Sequence, residues 1–158
     1  MKAVTLKEIK SELSHNSNTE LVELILRLTK FRKENKELLS YLLFESGNED
    51  IFLNRIKNKV DEQFVTINSK TPYLTKKSIR KILKFIKTNI KYSNKKETEI
   101  ELLLYFCTKL NQLVPSIKNS MVLFNIYNRE LESILKKITF LHEDLQYDYH
   151  LEIQSLNF

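Results

Sequence analysis

Apolar residues recur every three or four positions along most of the chain, which is the period of a one-sided α-helix and not the alternation of a half-buried strand. Leu6, Ile9 and Leu13 mark a short first helix with Thr5 as its cap. The polar stretch Ser14, His15 and Asn16 ends it. Ser17 followed by Glu20 has capping-box spacing and opens a second helix whose face is Leu21, Leu24, Ile25 and Leu28. Asn35 is placed to cap a third helix carrying Leu38, Leu39, Leu42 and Leu43. Gly47 is placed to close that helix in the left-handed conformation that glycine adopts cheaply. Asn48 or Glu49 then opens a fourth, with Leu53, Ile56, Val60, Phe64 and Ile67 on one face. Its end near Asn68 is followed by Thr71 and Pro72, and proline disfavours helix in the residue before it. The stretch from Gln63 to Leu74 is the one place where a short extended segment fits.

From Thr75 to Lys91 the apolar residues Ile79, Ile82, Leu83, Ile86 and Ile90 fall within about 100° of one another on a helical wheel, the cleanest amphipathic pattern in the chain. Asn94 followed by Glu97 gives a second capping-box spacing. The helix it opens, with Ile100, Leu102, Leu103, Leu104, Tyr105, Phe106, Cys107 and Leu110, is apolar on most sides and reads as the central, buried one. After Pro115, the positions Leu123, Tyr127, Leu131, Ile134, Ile138, Leu141 and Leu145 form a seam suited to packing against another helix. That seam fits an intramolecular bundle, with a homodimeric coiled coil as the less favoured alternative. A last helix to about Leu156 is expected to pack Tyr147, Leu151 and Phe158. The expected architecture is all-α: a single-domain irregular helical bundle over residues 1–158. It has about seven or eight helices, a short N-terminal helix pair and a long C-terminal helix, gathered around Ile100 to Leu110. The one candidate for a sub-division lies near Ser69–Tyr73.

Composition supports this picture and narrows it. One glycine and two prolines in 158 residues leave little material for hairpin turns. The 42% hydrophobic and 29% charged content is that of a chain that folds. The opening residues Met1 to Glu8 turn polar at once, so no export signal is expected, and no run approaches the length of a membrane span. The single cysteine, Cys107, sits in an apolar run and is expected to be buried and inert, which fits a reducing cytoplasm.

The net charge of +6 is not spread evenly. Residues 1–62 carry 11 basic and 11 acidic side chains, residues 63–96 carry 10 basic and none acidic, and residues 97–158 carry 5 basic and 9 acidic. On the Thr75 to Lys91 helix, Lys76, Lys77, Arg80, Lys81, Lys84, Lys87 and Lys91 lie opposite the apolar face. Arg80, Lys84, Lys87 and Lys91 make a ridge roughly 16 Å long at about 1.5 Å per residue. Like charges at i and i+4 cost only about 0.2 to 0.5 kcal/mol per pair, so the ridge is cheap to keep. It is either a solvated face, or one offset by the acidic C-terminal third, or a surface for a phosphate backbone or an acidic protein. Stable membrane association is not expected, because tryptophan is absent and the Ile/Leu face has the composition of a core.

The inventory of reactive residues excludes more than it suggests. One glycine cannot build a phosphate loop or a nucleophile elbow, and one cysteine cannot make a redox pair. His142 and His150 flank a segment rich in acids, but on a helix they stand about 80° and roughly 12 Å apart, so no shared metal ion is expected. Glu101, beside Ile100 and Leu102, is the carboxylate nearest to an apolar run, and a surface position at its helix start is expected. No cofactor is expected, and enzymatic chemistry is disfavoured.

The stretch from Leu6 to Ser14 with Thr19 to Ile25, together with Leu102 to Phe106 and Tyr127 to Leu135, resembles a family of small bacterial all-helical proteins known only as a domain of unknown function. The resemblance covers most of the chain and implies a helical fold, with no catalytic residue to carry over. The opening helix pair faintly resembles a SAP-type DNA-binding motif. Its connection from Leu13 to Leu21 is shorter than that motif's and lacks glycine, so the likeness is set aside. The reading that emerges is a non-catalytic helical module that binds a macromolecular partner through the basic helix face. Sequence-independent nucleic-acid binding through the same face is the alternative.

Overall fold

A computed structural model describes residues 4–156 and contains eight α-helices and no strand among them. The chain divides into two compact units, the first ending at Phe44 and the second beginning at Glu45. The Ser69–Tyr73 stretch lies inside the second unit.

In the first unit, α1 (Leu6–Leu13) and α2 (Asn18–Phe31) both start with a full capping box. The Thr5 hydroxyl accepts the Glu8 N–H while the Glu8 carboxylate accepts the Thr5 N–H at 2.7 Å, and Ser17 and Glu20 repeat the arrangement. Each box satisfies donors that the first helical turn leaves without partners. Helix α3 (Lys33–Ser40) departs from expectation at its start. Arg32 is its N-cap, with no side-chain cap bond, and Asn35 instead donates its Nδ2 to the Leu28 carbonyl at 2.8 Å, tying α3 back to the end of α2. After Ser40 the helix widens into a π-helical turn, Tyr41–Glu45. Tyr41 is the only buried residue described up to Phe44, and Leu42, Leu43 and Phe44 are exposed.

The second unit has the core. Helix α4 (Glu49–Val65) is opened by Asn48, whose side chain accepts the Ile51 N–H, and buries Phe52, Leu53, Ile56 and Val60. No strand follows. The chain turns directly into α5 (Pro72–Ser93), with the Thr71 hydroxyl accepting the Leu74 N–H at 3.2 Å and Pro72 at the first helical position, where its missing donor costs nothing. Helix α5 is thus longer at both ends than the Thr75 to Lys91 pattern. All five of its expected apolar residues are buried.

The turn after α5 corrects two expectations. Asn94 does not cap the following helix; it closes α5 in the left-handed conformation, with φ 55°, and α6 (Lys96–Asn111) has Lys95 as its N-cap, without a side-chain cap bond. Gly47 has no positive φ. Asparagine tolerates the left-handed region better than other residues with a Cβ, so it closes α5 without a glycine. The start of α6 is secured from elsewhere: Glu49, in the first turn of α4, accepts hydrogen bonds from Ser93, from Thr98 at 2.6 Å and from Lys95 at 2.7 Å.

Helix α6 is the central element as expected, packing on α4, α5 and α7 (Met121–Ile138) and burying Ile100, Leu102, Leu103, Leu104, Phe106, Cys107 and Leu110. The Leu123 to Leu145 seam is shorter than its sequence pattern. Helix α7 stops at Ile138, Leu141 falls in the turn, and Leu145 belongs to α8 (Glu143–Ser155) and is exposed. Leu123, Tyr127, Ile134 and Ile138 are buried within the unit, in keeping with an intramolecular bundle. Helix α8 does not pack through Tyr147 and Leu151, which are exposed; Tyr149, Ile153 and Leu156 face inward instead, and Phe158 lies outside the described residues. No described helix is long and apolar enough to cross a membrane. Every buried side-chain nitrogen or oxygen among the described residues has a hydrogen-bond partner.

Candidate functional site: the basic face of helix α5

Helix α5 turns Ile79, Ile82, Leu83, Ile86 and Ile90 toward α4 and α6, and this fixes the direction in which its cations point. Lys77, Arg80, Lys81, Lys84, Lys87 and Lys91 are exposed, and Lys76 is half-buried. Among the described residues, Lys77, Arg80, Lys81, Lys84 and Lys91 form no ion pair. The acids of the C-terminal third therefore leave most of the face uncovered.

Lys87 is the exception. Its ammonium meets the Glu130 carboxylate of α7 at 2.9 Å, and the same carboxylate accepts from Arg129 at 2.9 Å. Glu130 is nearly inaccessible, with 2% of its side chain exposed, whereas 47% of Lys87 and 64% of Arg129 remain in contact with solvent. A buried carboxylate is thus neutralised by two cations at its edge, and the ridge loses one charge to the protein's own interior. The sequence carried a signal for this residue: Glu130 is three residues after Tyr127 and four before Ile134, on the inward-facing row of α7.

The reactive residues noted in the sequence do not converge. Cys107 is buried, and burial, with a smaller contribution from the nearby Glu130 charge, pushes its thiol up to about 12. His142 caps α8, its Nδ1 accepting the Asp144 N–H at 3.4 Å, and His150 sits two turns further on. No group of three metal-capable side chains comes together among the described residues.

Glu101 is the residue whose setting differs most from the bland expectation. It is half-buried, pairs with Lys57 at 2.5 Å, and forms one wall of a cavity of about 300 Å³ shared with Tyr105, Leu145, Asp148, Tyr149 and Glu152. Burial, together with the Glu101 charge and against the pull of Lys57, raises the Glu152 carboxyl above its ordinary range. Beside this cavity Asp61 accepts from Tyr105 at 2.7 Å and pairs with Lys109 at 2.8 Å. Partial burial raises the Asp61 carboxyl, but the bonds from Lys109 and Tyr105 and the Lys109 charge outweigh it and hold the carboxyl below the usual range. Acids and bases here are paired with one another, the arrangement of a structural network joining α4, α6 and α8. The exposed cations of α5 are the larger unsatisfied feature. No family model, curated protein or solved structure matches this chain.

Proposed function

We propose that the protein is a non-catalytic helical module that binds a macromolecular partner with an acidic surface through the basic face of α5. The observation that carries this reading is that Lys77, Arg80, Lys81, Lys84 and Lys91 stand exposed and, among the described residues, without ion pairs on one helix anchored by its buried apolar face. A rigid row of cations meets a matching row of acids with little loss of backbone freedom, and complementary charge raises the rate of encounter more than the affinity. The second reading, sequence-independent nucleic-acid binding, draws on the same face and on the run of 10 basic and no acidic residues in the segment 63–96.

One experiment separates them. The tagged protein is used to capture partners with and without nuclease, and in parallel is titrated against duplex DNA and RNA at several salt concentrations. A protein partner survives nuclease treatment and is lost when Arg80, Lys84 and Lys91 are changed to glutamate. A nucleic-acid ligand gives a log K against log salt slope of about −3 if the three ridge cations left unpaired, Arg80, Lys84 and Lys91, each neutralise a phosphate, and the same variant abolishes it. Binding that is unaffected by the triple variant removes the α5 face from both readings.

A further inference from the structure

We infer that the binding surface assigned to α5 continues onto α7, where Arg129 is a further contact residue, the buried Glu130 positions both Arg129 and Lys87, and the group received is a carboxylate of the acidic partner. The inference rests on the reading of α5 given above and adds the point at which the partner is gripped.

Its basis is a buried charge with no chemical use. Glu130 is almost sealed from solvent, the neighbouring Cys107 is an inert thiol, and no group of metal-capable side chains forms around it among the described residues. Stability does not account for it either, because a well-packed apolar residue serves a core as well as a buried ion pair does. What the carboxylate supplies is a fixed point for two long side chains. Lys87 reaches it from α5 at 3.0 Å, and Arg129 reaches the same oxygen with Nε at 3.0 Å and Nη2 at 2.9 Å. The two cationic heads are thereby held within two hydrogen-bond lengths of each other, yet both stay about half exposed. Side chains ordered in advance have little rotamer freedom left to lose when a partner docks.

The geometry of Arg129 says what the pair receives. Glu130 takes the side edge of the guanidinium, Nε and Nη2, and the end edge formed by Nη1 and Nη2 makes no bond among the described residues. That edge is a planar fork, the shape that accepts both oxygens of a carboxylate. Two cations on one carboxylate also leave a single positive charge over, so the charge that Lys87 gives to the interior is restored on α7. Its surroundings preserve it. Lys84 and Lys91, one turn either side of Lys87, and Lys136, two turns beyond Arg129 on the same row, are exposed and form no ion pair among the described residues. Glu132 stands about 160° round α7 from Glu130, on the opposite side of the helix. A phosphate backbone calls for such a grip at repeated intervals, whereas Glu130 is the one buried acid among the described residues.

A short oligoglutamate peptide, titrated into the full chain by calorimetry at low salt with a short DNA duplex as comparison, tests this. Arg129→Gln should weaken peptide binding by about ten-fold or more, and Arg129→Lys, which keeps the charge and loses the fork, by nearly as much. Glu130→Gln is decisive. It raises the net charge by one, so a surface acting by charge alone would bind the peptide more tightly, whereas loss of the positioning carboxylate weakens binding by about three- to ten-fold. Combining Glu130→Gln with Arg129→Gln strands no buried charge and should cost less than the product of the two single effects, because Glu130 acts in part through Arg129. Thermal melts confirm that each variant is folded, and the Arg129 Nη–H resonances of the wild type should shift on adding peptide. Tighter or unchanged binding by Glu130→Gln, or an Arg129→Gln variant that binds as wild type, overturns the inference; if changing Arg80, Lys84 and Lys91 to glutamate still abolishes binding, the α5 reading stands without it. A triple variant that binds as wild type removes the α5 reading and the inference together. Absence of peptide binding, or effects confined to the duplex, overturns the carboxylate as occupant.

Discussion

Of the ion pairs in the second unit, the Lys87–Glu130–Arg129 group makes the sharpest energetic prediction, because its members are buried so unequally. Changing Glu130 to glutamine removes the buried charge and keeps its shape. The three hydrogen bonds that Lys87 and Arg129 donate to Glu130 lose their ionised acceptor, and a bond to a charged group has a net value of about 1.5 to 3 kcal/mol. The carboxylate's desolvation penalty, several kcal/mol for a group at 2% exposure, disappears with them. The two cations left behind are about half exposed and rehydrate without moving far. The opposing effects are of similar size, so Glu130→Gln should cost no more than about 1 to 2 kcal/mol. Removing the cations instead, with Lys87→Ala and Arg129→Ala together, strands the carboxylate beside Cys107 and Tyr127 with no compensating charge, and should cost about 3 to 5 kcal/mol. Urea unfolding followed by circular dichroism reads both numbers from shifts in midpoint at constant slope. The reasoning fails if Glu130→Gln proves as damaging as the double cation variant, since the buried partner would then not be the one that sets the cost.

Three further outcomes follow from single residues. Asn94→Gly should stabilise the second unit by up to about 1 kcal/mol, because φ 55° carries no penalty for glycine, while Asn94→Val should destabilise it by about 1 to 2 kcal/mol; thermal melts decide. Glu152→Gln should raise the melting temperature at pH 7 and leave it unchanged near pH 4. A carboxylate whose folded pKa lies above its unfolded one weakens the fold once pH rises past the unfolded value, and the amide cannot ionise. Cys107 should resist alkylation at pH 8 in the native protein and react only on unfolding, and labelling of the folded chain at the rate of a free thiol would contradict its burial and its pKa of about 12.

The parts of this fold that sequence periodicity reveals are those set by one helix's own pattern. Ile79 to Ile90 on α5 and Ile100 to Leu110 on α6 are buried as their spacing requires, because an apolar face has nowhere else to go. Periodicity misleads where a repeat continues past a helix end. The row from Leu123 runs in register to Leu145, yet α7 stops at Ile138 and a turn breaks the line. Asn94 and Glu97 stand at capping-box spacing, but the left-handed residue that ends α5 occupies the position first, and one residue cannot be in both conformations. The basic face was legible because it is local to α5. Its neutralisation at Lys87 was not, since Glu130 lies 43 residues away and only the packing of α5 and α7 brings them together. The same holds for Lys57 and Glu101, 44 residues apart, and for the cavity that α8 completes beside them.

The Glu49 carboxylate, which receives Ser93, Lys95 and Thr98, carries a consequence for the time course of folding. It can close only after α4, the end of α5 and the start of α6 have all come together, so it is expected to form on the native side of the rate-limiting barrier, with Glu49→Gln speeding unfolding and leaving the folding rate unchanged in stopped-flow measurements. Interactions of that kind leave the rate of folding almost untouched and govern the rate of escape from the folded state. Loosening this one latch should therefore shorten the lifetime of the second unit far more than it delays its assembly.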